Sequence, residues 1–548
     1  MRRSLFPRLQ LRPLAAALLA LSAAIDAQAP QPVRPAPARA EGEGPWPQLI
    51  LRGGTLIDGA GGPPRGPVDI VIERNRIVRV ADVGFPNVPI DEQRRPRLAA
   101  GGRSIDVSGM YILPGFVDLH LHTGEVPKAP EAEYVYKLWM AHGITSGRGV
   151  PFADDMDWSL SEKARSAKNE ITAPRMWVYQ VPGGQWSYES AFQTPDQARE
   201  WVRMAKVKGV DGLKLTSFRP EIFGALTDES RKNGMGTVAH LAQTGVAQMN
   251  ALDAARLGLN TITHFYGLFE SMYEAHDVQP FPEHYNYNDE QWRFGQVARQ
   301  WTLIRPKSAK WWALLRELKD RNVTLDPTMT AYLSGRDLMY RRNTDWHETY
   351  TLPTLWEFYR PNRENHGAYF YNWTTWDEVA WRKFYQRWHE LLNDYKNLGG
   401  RVTASSDAGF IYNTYGFSTI EEMELLQEAG FHPLEVIRAV TMHAAETLTL
   451  PLGITPDFGV VKAGNLADLV VVPENPIANL KALYGTGFLR LNDATGKVER
   501  VGGITYTIKD GIVYDAKKLL VDVAAMVAKQ KRELKITTLP RAVFSRPR

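Results

Sequence analysis

The 548-residue chain contains no cysteine. That excludes a disulfide framework, a thiolate metal site, a cysteine nucleophile and a lipidated lipoprotein cysteine. Charge of one sign is also missing. The formal net charge is only +4, with basic and acidic residues interspersed along most of the chain. No nucleic-acid partner is expected from that balance, and no nucleic-acid motif accompanies it. No Gly-x-Ser-x-Gly string occurs, so a nucleophilic-serine elbow is not expected. Histidine is scarce, at 12 residues, which makes the placement of each one informative.

What is there reads first as a targeting segment. Arg2, Arg3, Arg8 and Arg12 precede an apolar run from Leu14 to Ala24, and small residues follow at Ala24, Ala27 and Ala29. This predicts a signal peptide over residues 1–29, with cleavage after Ala27. The run is shorter than the roughly 20 residues a spanning helix needs, so no stable membrane span is expected after processing. Export to a bacterial periplasm is expected, by a Sec signal or, from Arg2-Arg3 with Leu5-Phe6, a twin-arginine one. Residues 30–47 are rich in Pro and Ala and are expected to be a disordered spacer.

Beyond the spacer, three kinds of pattern follow. Residues 48–111 alternate apolar and polar positions between Gly-rich turns, as in Val68-Asp69-Ile70-Val71-Ile72-Glu73, which predicts antiparallel strands. Residues 112–450 alternate short apolar strands with helical stretches. The strands begin at Phe116 and end at Val402-Thr403-Ala404-Ser405-Ser406-Asp407, and eight are counted. That number closes a (β/α)8 TIM barrel, an α/β fold. Residues 451–515 return to strand chemistry, so a β-sandwich formed from both chain ends is expected beside the barrel. Residues 516–548 read as an amphipathic helix and a basic tail. Two connections, at about 265–305 and 329–375, are too long for ordinary loops. Ten of the 16 tryptophans lie between residues 265 and 400. An aromatic lid is expected there, with Trp292, Trp301, Trp346, Trp356 and Trp373 as candidate pocket walls or, alternatively, as the lid's own core or a homo-oligomer interface.

The stretch on which these patterns turn is Leu113-Pro114-Gly115-Phe116-Val117-Asp118-Leu119-His120-Leu121-His122. A strand repeats every two residues, so His120 and His122 leave it on one side, a ready pair of ligands for a borderline metal. Further candidates sit at later strand ends: Lys214, His240, His264 and Asp407, within Asp211-Gly212-Leu213-Lys214, Val238-Ala239-His240, Thr261-Ile262-Thr263-His264 and Ser405-Ser406-Asp407-Ala408-Gly409. This order, closed by Gly459-Val460-Val461-Lys462-Ala463-Gly464-Asn465-Leu466-Ala467-Asp468-Leu469, resembles the binuclear branch of the amidohydrolase superfamily. The interval from Lys214 to His240 is short, as in its dipeptidase-like and imidazolonepropionase-like members. The resemblance covers roughly residues 48–515 without the two lid insertions.

The resemblance implies two divalent metal ions, with zinc expected, held by His120, His122, Lys214, His240, His264 and Asp407. It implies that Lys214 takes up CO2 as a bridging carbamate. It further implies a metal-bridged hydroxide as nucleophile, with Asp407 as general base and then acid. The expected activity is hydrolysis of the amide C–N bond of a small-molecule substrate, a dipeptide or an N-acyl amino acid. A cyclic amide or imidazolone ring is the alternative substrate, and a catalytically silent metal-binding protein is the alternative of another class. Arg148, after the second strand, and Arg219, after the fourth, are candidate clamps for a substrate carboxylate.

Overall fold

A computed structural model describes residues 33–184, 192–243, 245–275, 278–286, 289–361, 370 and 372–540. The expected signal peptide and the basic tail from residue 541 lie outside the described residues.

Eight short strands carry the centre of the molecule: Phe116–Leu121, Ile144–Gly149, Arg175–Gln180, Gly212–Leu215, Gly236–Ala239, Thr261–Thr263, Thr324–Asp326 and Arg401–Val402. They pair in parallel and in chain order. Most are buried along their whole length, as strands covered on both faces must be. Between the first and last, Asp407 N–H donates to His120 O at 3.1 Å and Leu119 N–H to Ser405 Oγ at 3.1 Å. The arrangement is that of a TIM-like barrel. The eighth strand is shorter than the expected Val402–Asp407. Thr403 N–H still reaches Leu325 O at 3.0 Å, but Asp407 turns into the left-handed region at φ 47°, which a continuing ladder does not allow.

The two chain ends share one sheet. Leu469–Val472 pairs antiparallel with Tyr111–Pro114 on one side and with Tyr506–Lys509 on the other. Tyr111–Pro114 in turn pairs with Leu49–Leu56. Eight strands from residues 49 to 515 therefore form a single ladder over a core that includes Leu51, Ile70, Val471 and Ile508. The expected sandwich needs a second packed sheet. Among the described residues the remaining pairing is the hairpin Phe488–Asn492 with Lys497–Val501, because the C-terminal strands extend the N-terminal sheet instead of facing it.

The Pro/Ala stretch corrects another expectation. From Val33 it is docked against the barrel. Arg34 N–H donates to Pro130 O at 2.9 Å, Arg39 Nε to Asn169 O at 2.9 Å and Glu43 N–H to Val513 O at 3.0 Å, with Val33 and Ala36 buried. A proline-rich segment needs no ladder of its own to be ordered, only partners for its remaining amides.

The lid insertions are packed. They contain helices at Glu290–Gln300, Leu333–Arg342 and Pro353–Phe358, ahead of the long helix Thr375–Asn397. Phe265 lies edge-on to Phe384 at 4.9 Å and to Trp388 at 5.3 Å, Trp301 meets Phe384 at 5.1 Å, and Tyr332 stacks on Trp381 at 6.2 Å. Trp301, Trp346 and Trp356 are buried in this packing, while Trp292 and Trp373 keep some exposure. Trp301 therefore belongs to the lid's own core, whereas Trp346 stacks on Phe417 and Trp356 donates to Pro540 O, which fastens the lid to the rest of the chain.

Barrel and sheet are latched by Arg175, whose guanidinium bridges the Asp468 carboxylate and Asp510 at 2.6 Å. Arg175→Met strands Asp468, whose side chain is 2% exposed, without its cation. We expect a loss of about 3–5 kcal/mol, read as a lower urea midpoint at pH 7.

Candidate metal centre

The first barrel strand explains its own orientation. Val117 and Leu119 pack outward against Ala444, Ala445 and Leu448 of the helix Met442–Thr449. The strand's period of two then turns Asp118 and His120 into the barrel, with His122 continuing the same side past the strand end.

There the expected groups meet. His120 Nε2 lies 3.5 Å and His122 Nε2 3.4 Å from Asp407 Oδ1, and His264 Nε2 lies 3.7 Å from Asp407 Oδ2. Lys214 Nζ is 3.4 Å from His120 Nε2. The His240 ring stands 4.6 Å from that of His264 and stacks on Tyr266. All six sequence-predicted ligands thus face one region at the C-terminal ends of the strands, where barrel enzymes place their chemistry.

The imidazoles are held so that Nε2 carries the lone pair. His122 Nδ1 is 2.9 Å from Pro151 O, a carbonyl that can only accept, so the proton sits on Nδ1. Thr328 Oγ1 donates to Pro327 O at 2.7 Å and therefore accepts from His264 Nδ1 at 2.5 Å. His120 Nδ1 has Thr263 Oγ1 at 2.9 Å. Donors of nitrogen and carboxylate oxygen, with ligand atoms of His120, His122 and Asp407 all within 4.8 Å of one another, fit a divalent metal ion.

The electrostatics suit the same purpose. Burial holds the His120 imidazolium well below its ordinary pKa, helped by the Lys214 charge, so the ring stays neutral. Burial also pulls the Lys214 ammonium down to about 7, against the attraction of Asp407. Asp118 is pushed up to about 7 by burial, although its Oδ1 accepts from the His120 and Ser406 amides at 3.0 and 3.2 Å and its Oδ2 from Thr419 Oγ1 at 2.7 Å. Backbone strain gathers here as well. His264, Thr328 and Asp407 all have positive φ, at 65°, 49° and 47°. Each costs on the order of 1–3 kcal/mol and persists only where surrounding contacts impose it.

The two candidate arginines turn out differently from expectation. Arg148 is fully buried inside the barrel, with Nε on Leu119 O at 2.7 Å, Nη2 on Asp326 Oδ2 at 3.2 Å and its plane over Tyr179. Its strand turns it into the barrel core, so it clamps strands and not a substrate. Arg219 caps the helix Pro220–Lys232, half exposed, with Glu221 at 3.1 Å and Gln193 O at 3.0 Å as partners.

Several residues of the centre escaped the sequence reading. Asp118 was within reach of it, since the period of two that paired His120 with His122 also includes Asp118. Thr328 and Asn413 carry no local signal. Asn413 Nδ2 donates to Ser406 O at 2.9 Å and to Asp407 O at 3.1 Å, and so fixes the turn bearing Asp407. Glu422 accepts the Met329 and Thr330 amides at 2.9 and 2.8 Å and fixes the turn bearing Thr328. Thr328→Val keeps the shape and removes the acceptor for His264 Nδ1–H. It is expected to weaken divalent-metal binding by about 10–100-fold in competition with a chromophoric chelator.

Known proteins share this pattern. Residues 386–513 match the family model described as the amidohydrolase family. An N-acyl-D-aspartate deacylase of Alcaligenes xylosoxydans xylosoxydans is 36% identical over 88 residues, which is 16% of this chain and only 13% of that protein. Among solved structures, bottromycin amidohydrolase superposes with TM-score 0.59 at 18% identity, over 91% of this chain and 93% of its own. A Xaa-Pro dipeptidase with bound methionine in its active site gives TM-score 0.53 at 16% identity, over 85% of this chain and all of its own. The amidohydrolase family match is thus confined to residues 386–513, and over most of its length the chain shares its fold with bottromycin amidohydrolase and the Xaa-Pro dipeptidase.

Proposed function

We propose that this protein is an exported metal-dependent hydrolase that cleaves the amide C–N bond of a dipeptide or N-acyl amino acid. The observation that carries the reading is the convergence of three imidazole Nε2 atoms on the Asp407 carboxylate, with a buried lysine amine beside them. The deacylase match and the dipeptidase-like fold support an amide substrate.

His120, His122, His240, His264, Asp407 and Lys214 as its carbamate would hold two divalent ions, zinc by donor type. Bound there, the ions supply acidified water and a polarised substrate carbonyl. The chain's own part is orientation and proton transfer. Thr328 and Pro151 O lock the His264 and His122 tautomers, and Thr263 holds His120 Nδ1. Asn413 holds the Asp407 backbone, so the carboxylate keeps its place among the rings. An Asp407 oxygen takes the proton released at the attacking water and returns it to the leaving nitrogen, one carboxylate serving as base and then acid. Lys214 has His120 Nε2 as its hydrogen-bond partner, and its burial favours the neutral amine that reacts with CO2.

Two tests follow from this chemistry. Metal content by mass spectrometry on protein prepared without chelators should give two ions per chain. Asp407→Asn should lower kcat on N-acyl amino acids or dipeptides by about 10²–10⁴-fold without unfolding the chain; retained turnover would sink the mechanism. A third prediction concerns pH. With its pKa lowered to about 7, Lys214 is neutral above that pH and charged below it. At a fixed CO2 pressure, about a tenth of the amine is neutral at pH 6 and about nine-tenths at pH 8. Metal-free protein should therefore take up its second ion several-fold faster at pH 8, and Lys214→Met should lose that step.

A further inference from the structure

Beside the open edge of the metal centre lies a cation that the reading above does not use. The buried rings His120 and His264 form the floor of the site, whereas the His122 side chain keeps 20% exposure and Asp407 12%. The exposed edge of His122 meets Phe410 edge-on at 6.4 Å. Phe410 also meets Lys128, from the loop that follows the first barrel strand. Its Nζ lies 3.9 Å from the Phe410 ring centre and 4.3 Å from that of Phe358, in the lid helix Pro353–Phe358. Thr354 of the same helix donates to Lys128 O at 2.7 Å. Loop, lid and the turn after the eighth strand thus meet at this ammonium.

The compensation of that charge is incomplete. Lys128 is 3% exposed, yet its carboxylate partner, Glu125 at 3.1 Å, has a side chain 61% exposed to water. Two ring faces add attraction, and the Asp407 and Asp154 carboxylates act on it from farther off. A buried ammonium carries a desolvation cost unless an anion meets it in the same environment. A solvated glutamate on a loop does not meet that condition. An anionic ligand seated on the metal centre would.

We propose that Lys128 is the residue that recognises the carboxylate of the substrate, with Phe410 and Phe358 as the walls that keep water from that contact. The inference rests on the amidohydrolase reading and deepens it by naming the residue that holds the free carboxylate of a dipeptide or N-acyl amino acid while its amide is cleaved. It also gives the carboxylate the partner that Arg148 and Arg219 do not provide. Glu125 holds the ammonium between turnovers and yields it when the substrate arrives.

The test uses N-acetyl-leucine and N-acetyl-leucinamide, which differ only in that carboxylate, in calorimetry with the zinc-loaded full chain. The expected result is binding of the acid in preference to the amide. Lys128→Met should weaken acid binding by about 10–100-fold and leave the amide unchanged. Glu125→Gln, which removes the competing anion, should leave acid binding equal or tighter. Equal binding of acid and amide, no binding of either, an acid affinity unmoved by Lys128→Met, or weaker acid binding in Glu125→Gln would each overturn the proposal. Hydrolysis is scored separately. Lys128-dependent binding of an acid that is not cleaved, with no dipeptide or N-acyl amino acid turned over, would leave the carboxylate site standing and sink the hydrolase reading. Cleavage of acids without Lys128 dependence would do the reverse.

Discussion

The structure depends on one constraint: several nitrogen lone pairs must face the same point in a place where water cannot help. An imidazole chooses its donor nitrogen by what the other nitrogen touches. Here Pro151 O and Thr328 make that choice for His122 and His264, and Thr263 holds His120, from three different segments of the chain. The strained φ values at His264, Thr328 and Asp407 are the backbone's share of the same requirement. They are held by hydrogen bonds that have no other evident purpose, from Glu422 to the 328–330 turn and from Asn413 to the 406–407 turn.

The lid takes part in this support. Arg341, at the end of the lid helix Leu333–Arg342, is fully buried, pairs with Glu421 and donates from Nη2 to Asn413 Oδ1 at 3.0 Å. Tyr359, just past another lid helix, donates to Asn413 O at 2.8 Å. The insertions that looked in sequence like a cover over the pocket are therefore also part of the scaffold that holds Asp407 in place. Lid packing and ligand geometry share one asparagine.

Much of this was legible in the sequence, for a physical reason. A metal ligand at a strand end is a local feature: it needs a short apolar run, a period of two and a residue of the right type, all visible within ten residues. Hence His120, His122, Lys214, His240, His264 and Asp407 could be read off and were found together. The helix Pro195–Lys208 has equally local ends, since Thr194 caps it and Gly209 terminates it with φ 106°. What could not be read depends on partners far away in the chain. Arg148 looked like a clamp on the catalytic face until its register placed it between Leu119 and Asp326. The Pro/Ala stretch looked free because composition does not show that Pro130, Asn169 and Val513 wait for it. The aromatic lid was visible as composition, but which rings face inward is decided by packing.

The sheet shared by the two chain ends has a temporal side. Tyr111–Pro114 leads through Gly115 directly into the strand that carries His120, and it is flanked by Leu49–Leu56 and by Leu469–Val472. The entry to the first barrel strand is therefore complete only when a segment more than 350 residues downstream has been delivered. Such a chain does not mature from front to back as it emerges. Contacts this distant in sequence make assembly slow and concentrate it near the end of synthesis. A chain truncated between residues 407 and 469 would carry every ligand of the centre and still lack the strand that holds the first two in register.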